Sequence, residues 1–437
     1  MRIGLIAMSG VRVRTEELAK MGVTLPQFVT RGNVIASLPS LGLLTVAAHT
    51  PEDVEIEYLE VDELPADGTL QRYDLVGISS FTARIDAAYA LADRYREMGV
   101  PVVLGGLHVS LLPNEAAQHA DSIVLDGAEG IWSKLIEDFR DGCLKPVYKG
   151  ARSGVFSPDL YKRPRFDLAK GRHYNRMTVQ TSRGCPIDCE FCAASLRITS
   201  SFQQKPVELV LEELEAIKDL FESPFIELAD DNTFVNKKWG KAFLRAIEPL
   251  KLRWFTETDI SVADDLELLD LMREAGCRQI LIGLESPNPA QLSGVDPHNW
   301  KAKRADHYME AIERIQSRGI SVNGCFVLGL DTHTDEIFET VRDFIRQSNL
   351  LEAQVTVLTP FPGTPLYARL RQQKRLLKDR FWDRCTLFDV NYRPKNMSVE
   401  DLEYGLRWLF REVYSDAEFG RRRRHFMELI KKRKHAA

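Results

Sequence analysis

Short apolar strands alternate with amphipathic helical stretches twice over in this chain, which restricts the fold to parallel sheets covered by helices. In the first series the strands are RIGLIAM (2–8), VEIEYLEV (54–61), DLVGISS (74–80), PVVLGG (101–106) and SIVLDG (122–127). Between them run stretches such as RIDAAYALADRYREMG (84–99), whose apolar residues recur at helical spacing. Residues 1–150 are therefore expected to form a doubly wound α/β unit, with ligand-binding loops at the carboxyl ends of its strands. PDLYKRPRFDLAKGRHYN (158–175), with its prolines and many charges, marks a linker over residues 151–176.

The second series begins at MTVQTS (177–182) and continues with PFIELAD, LRWFTETD, RQILIGLES, SVNGCFVLGL and EAQVTVLTP. Helical stretches such as PVELVLEELEAIKDL separate these strands. Six such units over residues 177–370 suit a partial (β/α)6 TIM barrel, with functional loops at the C-terminal strand ends. Residues 371–437 read as a helical tail. A chain of 437 residues is too long for one ordinary core. Its 44 % hydrophobic and 28 % charged residues are those of a soluble globular protein, and a net charge of −5 gives no pull toward nucleic acid. The N-terminus lacks a signal-peptide pattern, and no apolar run approaches the roughly 20 residues that span a bilayer. Seven cysteines, odd in number and clustered, argue against a disulfide scaffold and for a reducing cytoplasm.

Three of those cysteines stand in TSRGCPIDCEFCAAS (181–195), spaced C-x3-C-x2-C as Cys185, Cys189 and Cys192. One reading is a zinc site completed by a distant Cys or His. The other is a four-iron cluster with three corners held by thiolates and one left open. Placed at the end of the first barrel strand, the spacing resembles that of the radical S-adenosylmethionine (radical SAM) superfamily. The resemblance implies a [4Fe-4S] cluster whose open iron is chelated by S-adenosylmethionine. Reductive cleavage of that sulfonium then yields a 5′-deoxyadenosyl radical. Phe191, before the last cysteine, matches the family pattern, in a neighbourhood that touches adenine. Asp230, Asp231 and Asn232, in ELADDN, occupy the place of a motif that holds the SAM amino group, but depart from its Gly-Gly-Glu form. They read equally well as a helix cap. Glu285, in GLES, matches a ribose-binding position, against the alternative of a surface acid. Glu257, in FTETD, points to the same mouth, and Gly329 would allow close backbone approach to a ligand.

The first unit resembles the Rossmann-like cobalamin-binding domain fused ahead of the barrel in one subgroup of that superfamily. GISS (77–80), GGLHVSLLPNEA (105–116) and DGAEG (126–130) carry the likeness. They nominate Ser79, Gly105, Gly106, His108 and Gly127 as cobalamin-binding residues. The D-x-H-x2-G motif of many such domains is missing from residues 1–150; the only D-x-H is Asp331-Thr332-His333, on the barrel. Cobalamin-dependent methyl transfer to an unactivated carbon of a small-molecule, lipid or tetrapyrrole substrate is the implied function. A radical cyclase, rearrangement or oxidation is the second reading, and a non-catalytic iron–sulfur protein the third. An external low-potential electron donor of flavodoxin or ferredoxin type is the implied partner, with no nucleic acid. The basic C-terminal run (421–424, 431–434) reads as a solvated helix or as a peripheral membrane contact. Cys277, Cys325 and Cys385 read as core thiols, with Cys325 facing the barrel interior.

Overall fold

A computed structural model describes residues 1–8, 10, 13–20, 38–61, 69–172 and 174–436 of the chain. The first unit is a six-stranded, wholly parallel sheet of β1 (Arg2–Met8), β2 (Glu55–Val61), β3 (Leu75–Ser80), β4 (Val102–Gly105), β5 (Ser122–Leu125) and β6 (Val147–Lys149), in the order 2-1-3-4-5-6. Helices cover both faces, so both sets of alternating side chains are apolar. Ile3 and Leu5 pack on one face with Trp132, Leu135 and Ile136. Ile6 and Met8 pack on the other with Tyr89 and Tyr95. The edge strand β6 escapes the sequence pattern because it spans three residues and both its ends are exposed.

The second unit is an open parallel sheet curved as a partial barrel. Its strands are β7 (Met177–Val179), β10 (Phe225–Leu228), β11 (Arg253–Thr258), β12 (Cys277–Glu285), β13 (Ser321–Leu328) and β14 (Glu352–Val357), each paired with the next in chain order. A short antiparallel pair, β8 (Ser182–Arg183) and β9 (Gln203–Gln204), closes the base of the loop that carries the three cysteines.

The tail is helical only in part. Helices Val399–Val413 and Asp416–Ala436 are present, whereas residues 373–398 are mostly irregular. Pro394 and side chains that bond back to the main chain compete with a helix there. Phe381, Trp382 and Cys385 of this segment return to the first unit and join its core around Tyr89. Trp382 Nε1 donates to both carboxylate oxygens of Glu115 (3.0 and 3.1 Å), and Arg380 pairs with Asp86. The basic helix is partly consumed by packing. Buried Arg422 donates to the carbonyls of Val413 and Leu351, and Arg421 to Asn349, while Arg423, Arg424, Lys431 and Lys432 are exposed. No helix among the described residues is long and apolar enough to cross a membrane.

Candidate active site

The cysteine loop follows β7 and is held largely through its backbone. Gly184 opens it at φ +92°, where a Cβ would lie 3.0 Å from Thr199 and 3.2 Å from the Ser201 carbonyl. Arg197 donates to the carbonyls of Cys192 (2.8 Å) and Cys189 (2.9 Å) and to the Asp188 carboxylate (2.9 Å). The Cys192 N–H donates to Cys189 O (3.1 Å). None of the three cysteines is in a disulfide. Burial pushes the Cys189 and Cys192 thiols each up to about 12, and Cys185 upward as well. Such thiols keep their protons until a metal displaces them.

The acidic residues after β10 divide their work. Asp230 is buried and its carboxylate is fully engaged, accepting from Thr181 N (2.7 Å), Thr181 Oγ1 (2.5 Å), Ser182 N (2.8 Å) and Thr233 Oγ1 (2.8 Å). It ties the start of the cysteine loop to the barrel. Asn232 is likewise engaged, donating to Asp259 (2.8 Å) and accepting from Thr258 (3.2 Å). Asp231 takes the Ser195 hydroxyl (2.6 Å), and Ser195 Oγ in turn accepts from Gly184 N (2.8 Å). Of the three, Asp231 is the one linked to the far side of the cluster loop. Phe191 is half-buried, packed against the barrel core.

Glu257 and Glu285 stand toward the barrel interior. Burial pushes Glu257 up to about 8, and neighbouring Glu227 and Asp231 add to the effect. Glu285 is not a surface acid: it is buried, and it sits at φ +61° where the β12–β13 register shifts. Its carboxylate accepts from Lys301 Nζ at 2.9 Å. Two expectations are corrected here. The tight backbone approach that demands glycine at 329 is to Tyr392, whose hydroxyl donates to Gly329 O (2.5 Å) and would lie 2.2 Å from an added Cβ. His108 does not reach a ligand cavity: its ring is buried against Trp382 (5.8 Å between centroids) and bonded to Thr82 (3.1 Å). Asp331, of the D-x-H at 331–333, is held by Arg369 and Arg375.

A cavity of about 380 Å³ separates the two units. Ser79, Gly105, Gly106 and Gly127, at the carboxyl ends of the first sheet, line one side. Arg183, Ser195 and Ala229 of the barrel line the other, so the space runs from the first sheet to the cluster loop. Phe156 and Tyr161, from the stretch between the two sheets, form a further wall. Lys205 lies over both rings at 5.3 Å and is paired with buried Glu213 (2.7 Å). Arg183 crosses between the units to Glu129 (2.8 Å). Gly106 and Gly127 are held at φ +105° and +112°. At Gly105, by contrast, an added Cβ would meet nothing closer than 3.8 Å. The fold has room for a side chain there, and glycine leaves that part of the cavity lining bare. Ser195 could have been suspected from its position just after the last cysteine. Lys301, in NWKAKR, carries no such signal.

Residues 179–345 match the radical SAM superfamily, residues 29–135 match the B12 binding domain, and residues 364–437 match a domain of unknown function, DUF4070. The chain thus carries a radical SAM domain with a B12-binding domain ahead of it, and is an enzyme of the radical SAM type. Among relatives, the bacteriochlorophyllide d C-12(1)-methyltransferase of Chlorobaculum tepidum is 28 % identical over 88 % of this chain and 84 % of its own. The anaerobic magnesium-protoporphyrin IX monomethyl ester cyclase of Rubrivivax gelatinosus is 24 % identical over 79 % and 70 %. The fold is shared with the radical S-adenosylmethionine methyltransferase TsrM from Kitasatospora setae, solved with cobalamin and a [4Fe-4S] cluster (TM-score 0.60, 16 % identity, 93 % and 85 % covered). The two domains imply a [4Fe-4S] cluster, S-adenosylmethionine and cobalamin. The donor set and the bare cavity floor fit them.

Proposed function

We propose that this enzyme transfers a methyl group to an unactivated carbon of a small-molecule, lipid or tetrapyrrole substrate. The observation that carries the reading is the single cavity reaching from Gly105 on the first sheet to Ser195 on the cluster loop. It would put a corrin and a SAM-bound cluster within reach of one substrate. When bound, the cluster supplies the electron that splits SAM, and cobalamin supplies the methyl group.

The chain's own residues bind, orient and shield. Cys185, Cys189 and Cys192 would hold the cluster, while Arg197 fixes the carbonyls of Cys189 and Cys192. Asp231, which accepts from Ser195, would take the SAM amino group, and Glu285 the ribose. Glu257, carrying its proton at neutral pH, offers a hydrogen-bond donor inside the barrel. Ser79, Gly105, Gly106 and Gly127 form the corrinoid floor. The electron comes from an external low-potential donor of flavodoxin or ferredoxin type.

The test is anaerobic turnover of cluster- and cobalamin-loaded enzyme with methyl-labelled SAM. Methyl transfer yields S-adenosylhomocysteine and 5′-deoxyadenosine together with labelled product. Formation of 5′-deoxyadenosine alone, with an unlabelled product, would replace methylation by a cyclisation or oxidation, the reading the cyclase relative favours.

A further inference from the structure

The stretch DGAEG (126–130) supplies Gly127, Ala128 and Glu129 to the cavity lining. Buried Asp126 opens it at φ +60°, its N–H donating to Ser110 Oγ (3.0 Å). Arg152, early in the connection between the sheets, is bound to this stretch and to the cysteine loop at once. Its Nη1 donates to Asp126 Oδ1 (3.2 Å), a carboxylate that Lys149 approaches only to 3.8 Å. Its Nη2 donates to the carbonyls of Arg197 (3.2 Å) and Thr199 (3.4 Å), on the arm that leaves the last cysteine. The Arg152 carbonyl accepts in return from Thr199 Oγ1 (3.0 Å), Ser200 N (3.0 Å) and Gln203 Nε2 (3.1 Å).

A second bridge joins the same stretch to the arm that enters the cysteine loop. Arg183, two residues before Cys185, donates to Glu129 (2.8 Å). A Cβ at Gly127 would lie 2.7 Å from Glu129 Oε2, so glycine there makes room for that bridge. A Cβ at Gly150 would collide with the Gly127 carbonyl, so the connection packs directly on the stretch it holds. Arg183 and Glu129 face the cavity, whereas Arg152 and Asp126 stand outside its lining. Replacing either of the latter two therefore removes no wall of the cavity.

We infer that Arg152 is a positioning residue that couples the two cofactor sites. It sets the cavity-lining stretch 126–130 against the exit arm of the cysteine loop, so that loading the cluster tightens the hold on the corrinoid. This rests on the cobalamin-dependent reading. Metal binding orders the loop that supplies its ligands. An ordered arm offers Arg152 fixed carbonyls, and a fixed guanidinium holds Asp126 and the stretch behind it. Linkage requires the corrinoid to favour the loaded loop by the same factor.

The test is an anaerobic absorbance titration of the full chain with hydroxocobalamin, on cluster-loaded and cluster-free preparations of wild type, Arg152→Met, Arg152→Lys and Asp126→Asn. Iron content is measured alongside. The readout is the ratio of the two dissociation constants, which a merely looser fold leaves unchanged because it weakens both preparations alike. Loaded wild type should bind about fivefold tighter or more, as coupled sites do. Arg152→Met should bring the ratio toward one. Arg152→Lys keeps the charge without the fork that reaches several partners, and should fall between. An undiminished ratio in Arg152→Met overturns the inference; if that variant does not fold, Asp126→Asn decides in the same way. A wild-type ratio of one, with both cofactors bound, overturns it and leaves the cofactor assignment standing. A wild type that takes up no corrinoid overturns the cobalamin-dependent reading as well.

Discussion

Glu190, between the second and third cysteines of the cluster loop, is gripped through both carboxylate oxygens by Arg369, 179 residues further along the chain (2.6 and 3.1 Å). The Glu190 main chain is anchored as well, its N–H donating to Val295 O and its carbonyl accepting from Leu366 N (3.0 Å each). Arg369 also reaches Asp331 (2.5 Å), which Arg375 shares (2.7 Å). The cluster loop is thereby fastened to the helix Pro365–Gln372 that follows the last barrel strand.

Arg369→Ala should therefore loosen the loop without unfolding the barrel. The ion pair is partly exposed and worth about 1 kcal/mol in global stability. Cluster retention should suffer more than melting temperature: iron per chain after anaerobic gel filtration is expected to fall severalfold, with a melting shift of a few degrees. Undiminished iron would show that Arg197 alone suffices to hold the loop.

Alanine at Cys185, Cys189 or Cys192 should abolish the brown iron–sulfur absorbance and all SAM cleavage. Cys143 is exposed, while Cys277 and Cys385 are buried in packed surroundings. Serine at Cys143, or alanine at Cys385, should leave iron content near wild type. Stoichiometric zinc in the anaerobically prepared protein would contradict the assignment.

Gly105 offers a cleaner probe of the corrinoid cavity than Gly106. A side chain at Gly106 is opposed by its backbone at φ +105°, so loss of binding there would be ambiguous. At Gly105 the backbone has room, and Gly105→Phe should fill the cavity floor with little strain. The expected result is at least a tenfold loss of cobalamin affinity, read by absorbance titration, with iron content unchanged. Unaltered cobalamin binding would place the corrin elsewhere.

Glu257 predicts a pH dependence of the unloaded protein. Its ordinary value is 4.5 and the folded chain raises it to about 8. Between those values the folded state holds a proton that the unfolded state has released, so stability falls as pH rises through that window. The slope is at most about 1.4 kcal/mol per pH unit from this one group. Glu257→Gln should flatten the decline between pH 6 and 8 in thermal or denaturant unfolding and stabilise the protein at pH 8. A variant with the same slope as wild type would show that Glu257 titrates normally.

Most of both parallel sheets was legible because buried β/α units alternate apolar runs of strand length with amphipathic helices, while the short, exposed edge strand β6 was not. Orientation was not legible. GGLHVS places His108 beside the cavity-lining glycines in sequence, yet the following helical turn rotates it into the core against Trp382. Gly329 has the backbone freedom expected of it, but the atom that approaches is the Tyr392 hydroxyl, contributed from far along the chain. Asp230 and Asp231 are adjacent and chemically identical. Only the partners brought by the fold, Thr181 and Thr233 for one and Ser195 for the other, tell the two apart. Lys301 went unnoticed because a lysine in a polar helix is ordinarily solvated.

The return of Phe381 and Trp382 to the first sheet has a consequence in time. A ribosome completes that sheet and then the whole barrel before it reaches them. Throughout that interval the apolar socket around Tyr89 faces water or a chaperone, and Glu115 lacks the indole that it later accepts from. A truncation ahead of Arg380 that spares every cluster and cavity residue should still yield an aggregation-prone protein, since it discards the plug that seals its oldest part.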